Sequence, residues 1–240
     1  MPKLFVCSDI HSFYTPLKKA LDDKGFDPNN EDHWLIVCGD VFDRGDESED
    51  VLDFLLSLNR KVLVKGNHDT LLFECCKRKY FYSYDIHNGT CDTIYDLGGA
   101  GLGNTFNECC QVTLEKLAPY KKILVNYFET QNYIFVHSWI PMVSQDCEGD
   151  WRNASQEQWD NAMWGNPFDI AEQGPELEKT IVFGHFHTSY QWNKISNCSE
   201  FGEDANFQPY YGNKYIGIDA CTAHTGKCNV IVLEDDFIKK

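Results

Sequence analysis

At 240 residues, with 42% apolar and 24% charged side chains, the chain is long enough to close a sizeable core, and one domain over residues 1–240 is expected. Its 21 basic against 37 acidic residues give a formal net charge of −16, which argues against a cationic track for nucleic acid or an anionic membrane but leaves room for a small positive site. The opening MPKLFVCSD has no apolar core with a cleavage site, and no run approaches the roughly 20 apolar residues of a membrane span, so a cytoplasmic protein with no membrane partner is expected.

In chain order, Leu4–Cys7 reads as a short strand, and after a loop Tyr14–Lys24 reads as a helix with Leu17, Ala20 and Leu21 on one face. Trp34–Cys38 is a second strand, and Ser48–Leu58 a helix whose first turn carries Glu49 and Asp50, where the dipole favours acids. Lys61–Val64 is a third strand and Thr70–Lys77 a helix. This alternation implies a mostly parallel sheet under helices. Tyr80–Asn104 is polar, aromatic and glycine-rich, and its GGAGLGN reads as a flexible turn rather than a nucleotide loop. Glu108–Leu117 reads as a helix, Ile123–Tyr127 and Tyr133–Val136 as a hairpin, and Trp139–Gln156 as a long polar loop. A helix over Glu157–Met163 and a Pro/Gly-marked passage over Gly165–Gly174 precede strands at Thr180–Phe183, Tyr215–Ile218 and Asn229–Leu233. Two groups of strands, one in each half, suggest two facing sheets. Eleven cysteines, Cys147 among them, are an odd number without CxxC spacing, so reduced and largely buried thiols are expected.

The strand ends carry the chemistry. Asp9 and His11 follow the first, Asp40 the second, Asn67, His68 and Asp69 the third; His137 ends the hairpin, and His185 and His187 follow Phe183. Gly-Asp after a strand is ordinarily a turn, and a lone histidine is ordinarily structural. Five strand ends with the same cargo are neither, because loops at the carboxyl ends of parallel strands converge on one place. Arg44 can present a planar fork to phosphate, or pair with Asp43 or Asp46. Trp139, Trp151, Trp159 and Trp164 either pave a groove beside this place or fill the core, and His224 reads as a loop residue.

CSDIHS, GDVFDRG, GNHD, VHSW and GHFH together resemble the motifs of the calcineurin-like metallophosphoesterase superfamily. GDVFDRG and the closing YIGIDACTAHTGKCNVIVLE are similar to its phosphoprotein phosphatase branch, especially bacterial and bacteriophage-type serine/threonine phosphatases and symmetrical diadenosine tetraphosphate hydrolases. The likeness runs from Leu4 to Glu234. It implies a four-layer α/β/β/α sandwich, two mixed sheets flanked by helices, around two divalent ions, manganese first and iron or zinc otherwise. Asp9, His11 and His187 would hold one ion, Asn67, His137 and His185 the other, and Asp40 would bridge both.

The resemblance further implies that a hydroxide bridging the ions attacks phosphorus directly. His68 would protonate the leaving oxygen, Asp69 would orient that imidazole, and Arg44 would hold phosphate. Lys65 and Asp69 stand where protein phosphatases of the branch usually carry arginine and glutamate, and GNHD looks more like the dinucleotide hydrolases. Asn166 occupies the approximate place of an arginine common in phage-type enzymes, which makes Arg152 the replacement charge and Lys65 a further phosphate contact. The expected function is hydrolysis of phosphoserine or phosphothreonine in a protein or of a small phosphorylated substrate. The alternatives are a dinucleoside polyphosphate hydrolase and an inactive metal-binding scaffold.

Overall fold

The structure, a computed structural model, describes residues 1–142, 150–173 and 177–237. Its strands are β1 (Lys3–Cys7), β2 (His33–Cys38), β3 (Lys61–Val64), β4 (Leu124–Val125), β5 (Phe128–Glu129), β6 (Tyr133–Phe135), β7 (Thr180–Phe183), β8 (Tyr210–Tyr211), β9 (Tyr215–Gly217) and β10 (Ile231–Glu234). The helices used below are α1 (Tyr14–Asp23), α2 (Ser48–Ser57), α3 (Asn67–Arg78), α4 (Ser83–His87), α5 (Thr90–Gly98), α6 (Phe106–Lys116), α7 (Ala118–Ile123), α8 (Gln156–Ala162), α9 (Pro167–Gln173) and α10 (Thr188–Ser196). One five-stranded sheet has the order β10-β1-β2-β3-β4 and the other β5-β6-β7-β9-β8. In each, the central strands run parallel and an antiparallel strand closes at least one edge, so both sheets are mixed.

Side-chain alternation along the strands decides the layers. In β1, Phe5 and Cys7 face the helices, where they meet Leu17 and Leu21 of α1, Val51 and Leu55 of α2 and Leu72 of α3. Leu4 and Val6 point the other way and pack with Ile36, Val64, Phe135, Val182 and Ile216 between the two sheets. On the far side of the second sheet, Ile181 and Phe183 lie against Trp159 of α8 and Phe168 of α9. The result is the expected α/β/β/α sandwich. Each large apolar side chain buried this way contributes roughly 1.5–3 kcal/mol.

Three expectations change. The anticipated hairpin splits: Leu124 and Val125 pair with Leu63 and Val64 of the first sheet, the N–H of Lys65 donates to the Val125 carbonyl (2.8 Å), and Phe128 then pairs with Phe135 of the second. Helix α3 begins at Asn67 rather than Thr70, because the Asp69 carboxylate accepts the N–H of Gly66 (2.8 Å) and draws the first turn forward. The glycine-rich middle folds into α4 and α5. Gly98 is required there, since a Cβ would collide with Cys109 of α6.

Cys147, part of the Trp139–Gln156 loop and Gly174 lie outside the described residues; the described cysteines are free thiols. Among the described residues no helix is long and apolar enough to cross a membrane.

Candidate metal centre

The carboxyl ends of β1, β2, β3, β6 and β7 deliver their loops to one place. Two groups of ligand atoms form there, His11, Asp40 and His68 in one and Asp40, His137 and His185 in the other, with all atoms of a group within 4.8 Å of one another. Asp40 belongs to both, as a bridging carboxylate must. Asn67 joins the second group: its Oδ1 lies 2.7 Å from His137 Nε2 and 3.0 Å from His185 Nδ1, while those two nitrogens are 3.1 Å apart. Glycines make the approach possible. A Cβ on Gly66 would run into the Asp40 carboxylate, and one on Gly184 into that of Asp9.

The donor set fits divalent cations. His137 Nδ1–H donates to the Cys38 carbonyl and His11 Nδ1–H to that of Phe42, both at 2.9 Å, so each ring turns the lone pair of Nε2 towards Asp40. Lone pairs of imidazole, amide and carboxylate that face one another need a cation between them, and mixed N/O donation suits several. Burial, then the nearby Arg44 charge, holds His11 well below the usual imidazole range; burial and His137 bring His185 down to about 4. Both rings are therefore neutral, the form that ligates. Burial opposes ionisation of Asp40, yet the imidazoles of His137, His68, His11 and His185 hold its carboxyl well below the ordinary range. The N-terminus of α3 adds to this, with His68 N–H donating to Asp40 Oδ1 at 3.0 Å. Asp9 is pushed up to about 7 by burial and by Asp40, and accepts the His185 N–H (2.9 Å).

Several expected contacts are replaced by others. Asp69 does not orient His68: its two oxygens accept Gly66 N–H and the Tyr120 hydroxyl (both 2.8 Å), on the far side of the helix start. Asp43 takes that part, its Oδ2 accepting His68 Nδ1–H and the Thr90 hydroxyl, each at 2.7 Å. His187 does not enter either group, because its Nε2 is hydrogen-bonded to Glu200 Oε1 (2.6 Å). Lys65 is neutralised by Asp160 (2.6 Å), and Arg152 is clamped between Glu129 and Asp150, so neither offers an open charge. Arg44 does: among the described residues it forms no ion pair, it is exposed, and its Nη2 stands 3.4 Å from His68 Nε2.

Asp219 was not anticipated. It follows β9, is buried, lies within electrostatic reach of Asp9, His187 and Arg44, and is pushed up to about 8 by burial and Asp9. Its signal, an aspartate directly after a strand in YIGID, is the one that marked Asp9 and Asp40. Trp139 and Trp159 are core residues and Trp151 packs on Tyr127, whereas Trp164 is exposed.

The sequence profile of the calcineurin-like phosphoesterases matches residues 2–189. The chain belongs to this family. Among curated proteins, this phosphoesterase-family chain is 36% identical over 173 residues to a symmetrical bis(5'-nucleosyl)-tetraphosphatase of a Marinomonas species, covering 68% of this chain and 56% of that one. A protein of the same description from Aeromonas hydrophila is 46% identical over 70 residues, 29% of this chain and 24% of that one. The matches therefore reach less than two thirds of either relative. Of solved structures, a cold-active protein-tyrosine phosphatase from a psychrophilic Shewanella shares the fold with a TM-score of 0.57 at 17% identity, over 98% of this chain and 76% of that one. A protein serine/threonine phosphatase from Saccharomyces cerevisiae does so at 0.55 and 13%, over 100% and 81%.

Proposed function

We propose that the protein is a two-metal phosphoesterase that hydrolyses the phosphoanhydride chain of a dinucleoside polyphosphate. The observation that carries the chemistry is the pair of ligand groups sharing Asp40, with His68 at the edge of the first group and Arg44 beside it. The curated matches, to proteins described as symmetrical bis(5'-nucleosyl)-tetraphosphatases, favour this substrate over the phosphoserine or phosphothreonine placed first from sequence.

Asp40, His11, Asn67, His137 and His185 would hold the cations, with Asp9 beside them and His187 joining if Glu200 releases it. Bound there, two divalent ions would activate water and polarise phosphoryl oxygens. Arg44 would bind the phosphoryl group through its planar fork. His68 would carry the proton that the departing oxygen needs: Asp43 fixes Nδ1–H, which leaves Nε2, the nitrogen beside Arg44, to hold and release it. Burial lowers the His68 pKa, but Asp40 and Asp43 outweigh it and the net shift is upward, towards the protonated acid. Lys65 and Arg152, already paired with carboxylates, and Asp69, held by Gly66 and Tyr120, take no part.

The test is to load the full chain with manganese and compare kcat/KM on diadenosine tetraphosphate and on a phosphoserine peptide, resolving products by chromatography. Cleavage of the dinucleotide into two equal halves, at least tenfold preferred, is expected. A preference for the peptide overturns the substrate, and no turnover of either by metal-loaded protein returns the scaffold reading.

A further inference from the structure

Two large aromatic side chains beside the metal centre are half exposed, Trp164 (53%) and Phe201 (51%). Neither belongs to a core cluster. The Trp164 loop is pinned beside the ligand His137 by the neighbouring Ser138, whose Oγ–H donates to the Gly165 carbonyl (2.7 Å). The Phe201 ring sits 4.6 Å from that of His187, with Phe207 (6.3 Å) and His224 (5.5 Å) behind it.

The sheet puts these rings on opposite flanks. Strand β7 lies between β6 and β9. From its end, His185 turns towards β6, where it meets His137 (ring centroids 4.9 Å apart). His187 lies on the β9 side: Thr188, the next residue, donates its N–H to the carbonyl of Asp219, which follows β9 (3.0 Å). Trp164 therefore marks the β6 side of the dinuclear site and Phe201 the β9 side.

We propose that Trp164 and Phe201 are two stacking platforms, one for the aromatic base at each end of a dinucleoside polyphosphate, and that they set the preference for that substrate. The inference rests on the phosphoanhydride reading above. A polyphosphate chain gripped at its middle carries one flat ring to either side, and a fixed indole or phenyl face holds such a ring without reading its identity.

The experiment measures, on manganese-loaded full chain, the ratio of kcat/KM for diadenosine tetraphosphate to kcat/KM for glycerol 2-phosphate, which has no ring to stack. Trp164→Ala and Phe201→Ala should each lower the ratio about tenfold, the order of one base–aromatic stack, chiefly through KM for the dinucleotide. The double variant should lower it about a hundredfold, and Trp164→Tyr and Phe201→Tyr should restore most of it. A ratio within twofold of wild type in the double variant overturns the platforms and leaves the phosphoanhydride reading standing. A wild-type protein that cleaves glycerol 2-phosphate but not the dinucleotide overturns both.

Discussion

Replacing Asp43 by Asn separates the proton carrier from its neighbours with little change of shape. Asp43 Oδ2 accepts both His68 Nδ1–H and the Thr90 hydroxyl, while Oδ1 is buried without a partner, so an amide can keep the acceptor and place its NH2 where the unpartnered oxygen was. What disappears is the charge that favours imidazolium. A hydrogen bond to a charged group is worth roughly 1.5–3 kcal/mol against about 1 for a neutral one, and general acid catalysis as a whole contributes about 10²–10⁴ in rate. Asp43→Asn should therefore lower kcat about 10- to 100-fold on an alkyl phosphate, whose leaving oxygen needs a proton, and less than about fivefold on p-nitrophenyl phosphate, whose leaving group does not. Asp69→Ala should do the reverse: losing the Gly66 cap (about 0.5–2 kcal/mol) and the Tyr120 bond (about 1–3 kcal/mol) should lower Tm by roughly 5–15 °C with no leaving-group dependence. Steady-state kinetics on the two esters, with calorimetry on both variants, decide it. If Asp69→Ala shows the leaving-group effect and Asp43→Asn does not, the assignment of Asp43 is wrong.

Gly184→Ala places a methyl against Ser8 and the Asp9 carboxylate, so bound metal, read by mass spectrometry, should fall at least tenfold while the far-ultraviolet spectrum is kept; full metal content would show that the approach is not needed. Phe168→Ala empties a fully buried site against Phe183 (centroids 5.1 Å apart) and should cost about 3–5 kcal/mol in urea unfolding with metal content unchanged. Asp219, Asp9 and Asp69 are raised to about 8, 7 and 7, by burial first and then by a neighbouring carboxylate. The folded chain then keeps protons that the unfolded chain has lost, so their contribution is present at low pH and is lost as pH rises through 7–8. His185, lowered to about 4, acts in the opposite sense but only between about pH 4 and 6.5. Chelated protein should thus lose about 2–3 kcal/mol between pH 6.5 and 8.5, a loss that manganese abolishes; a flat urea midpoint without metal would contradict the crowding of these carboxylates.

How much of this was legible follows from the kind of signal each element carries. The strands of the first half have bounded apolar runs and turn residues, and β1, β2 and β3 lie within a residue of where periodicity places them. Val125 and Phe128 misled because one apolar run serves two sheets, and nothing local in LVNYFE says where the chain changes sheet. The middle helices were illegible since the glycines there cap short helices, as Gly89, Gly99 and Gly103 do with positive φ, while Gly98 inside α5 serves close packing against Cys109. At the site, residue types at strand ends named His11, Asp40, Asn67, His137 and His185, but not which carboxylate reaches His68. Asp69 is its neighbour in sequence, yet the first turn of α3 sends that side chain back to Gly66, and Asp43 arrives from another strand.

That outcome reflects how the site is built. Of the non-glycine residues with positive φ, Asp9, His11, Ser12, Asp40, Asp43, Arg44 and His185 all stand in these loops, a conformation costing on the order of 1–3 kcal/mol at each. Backbone hydrogen bonds hold them there: Asp9 N–H donates to Gly39 O (3.1 Å), His11 N–H to Asp40 O (3.1 Å), Ser12 N–H to Val41 O (2.8 Å) and Gly45 N–H to His11 O (2.9 Å). The β1 and β2 loops are thus laced together beyond the sheet by main-chain groups, which any side-chain substitution leaves in place. The ligand geometry is a property of the backbone, with the side chains as its ends. It follows that exchanging a ligand for another donor disturbs the centre less than adding a single carbon at Gly66, which would press on the main-chain nitrogen of Asp40 as well as its carboxylate.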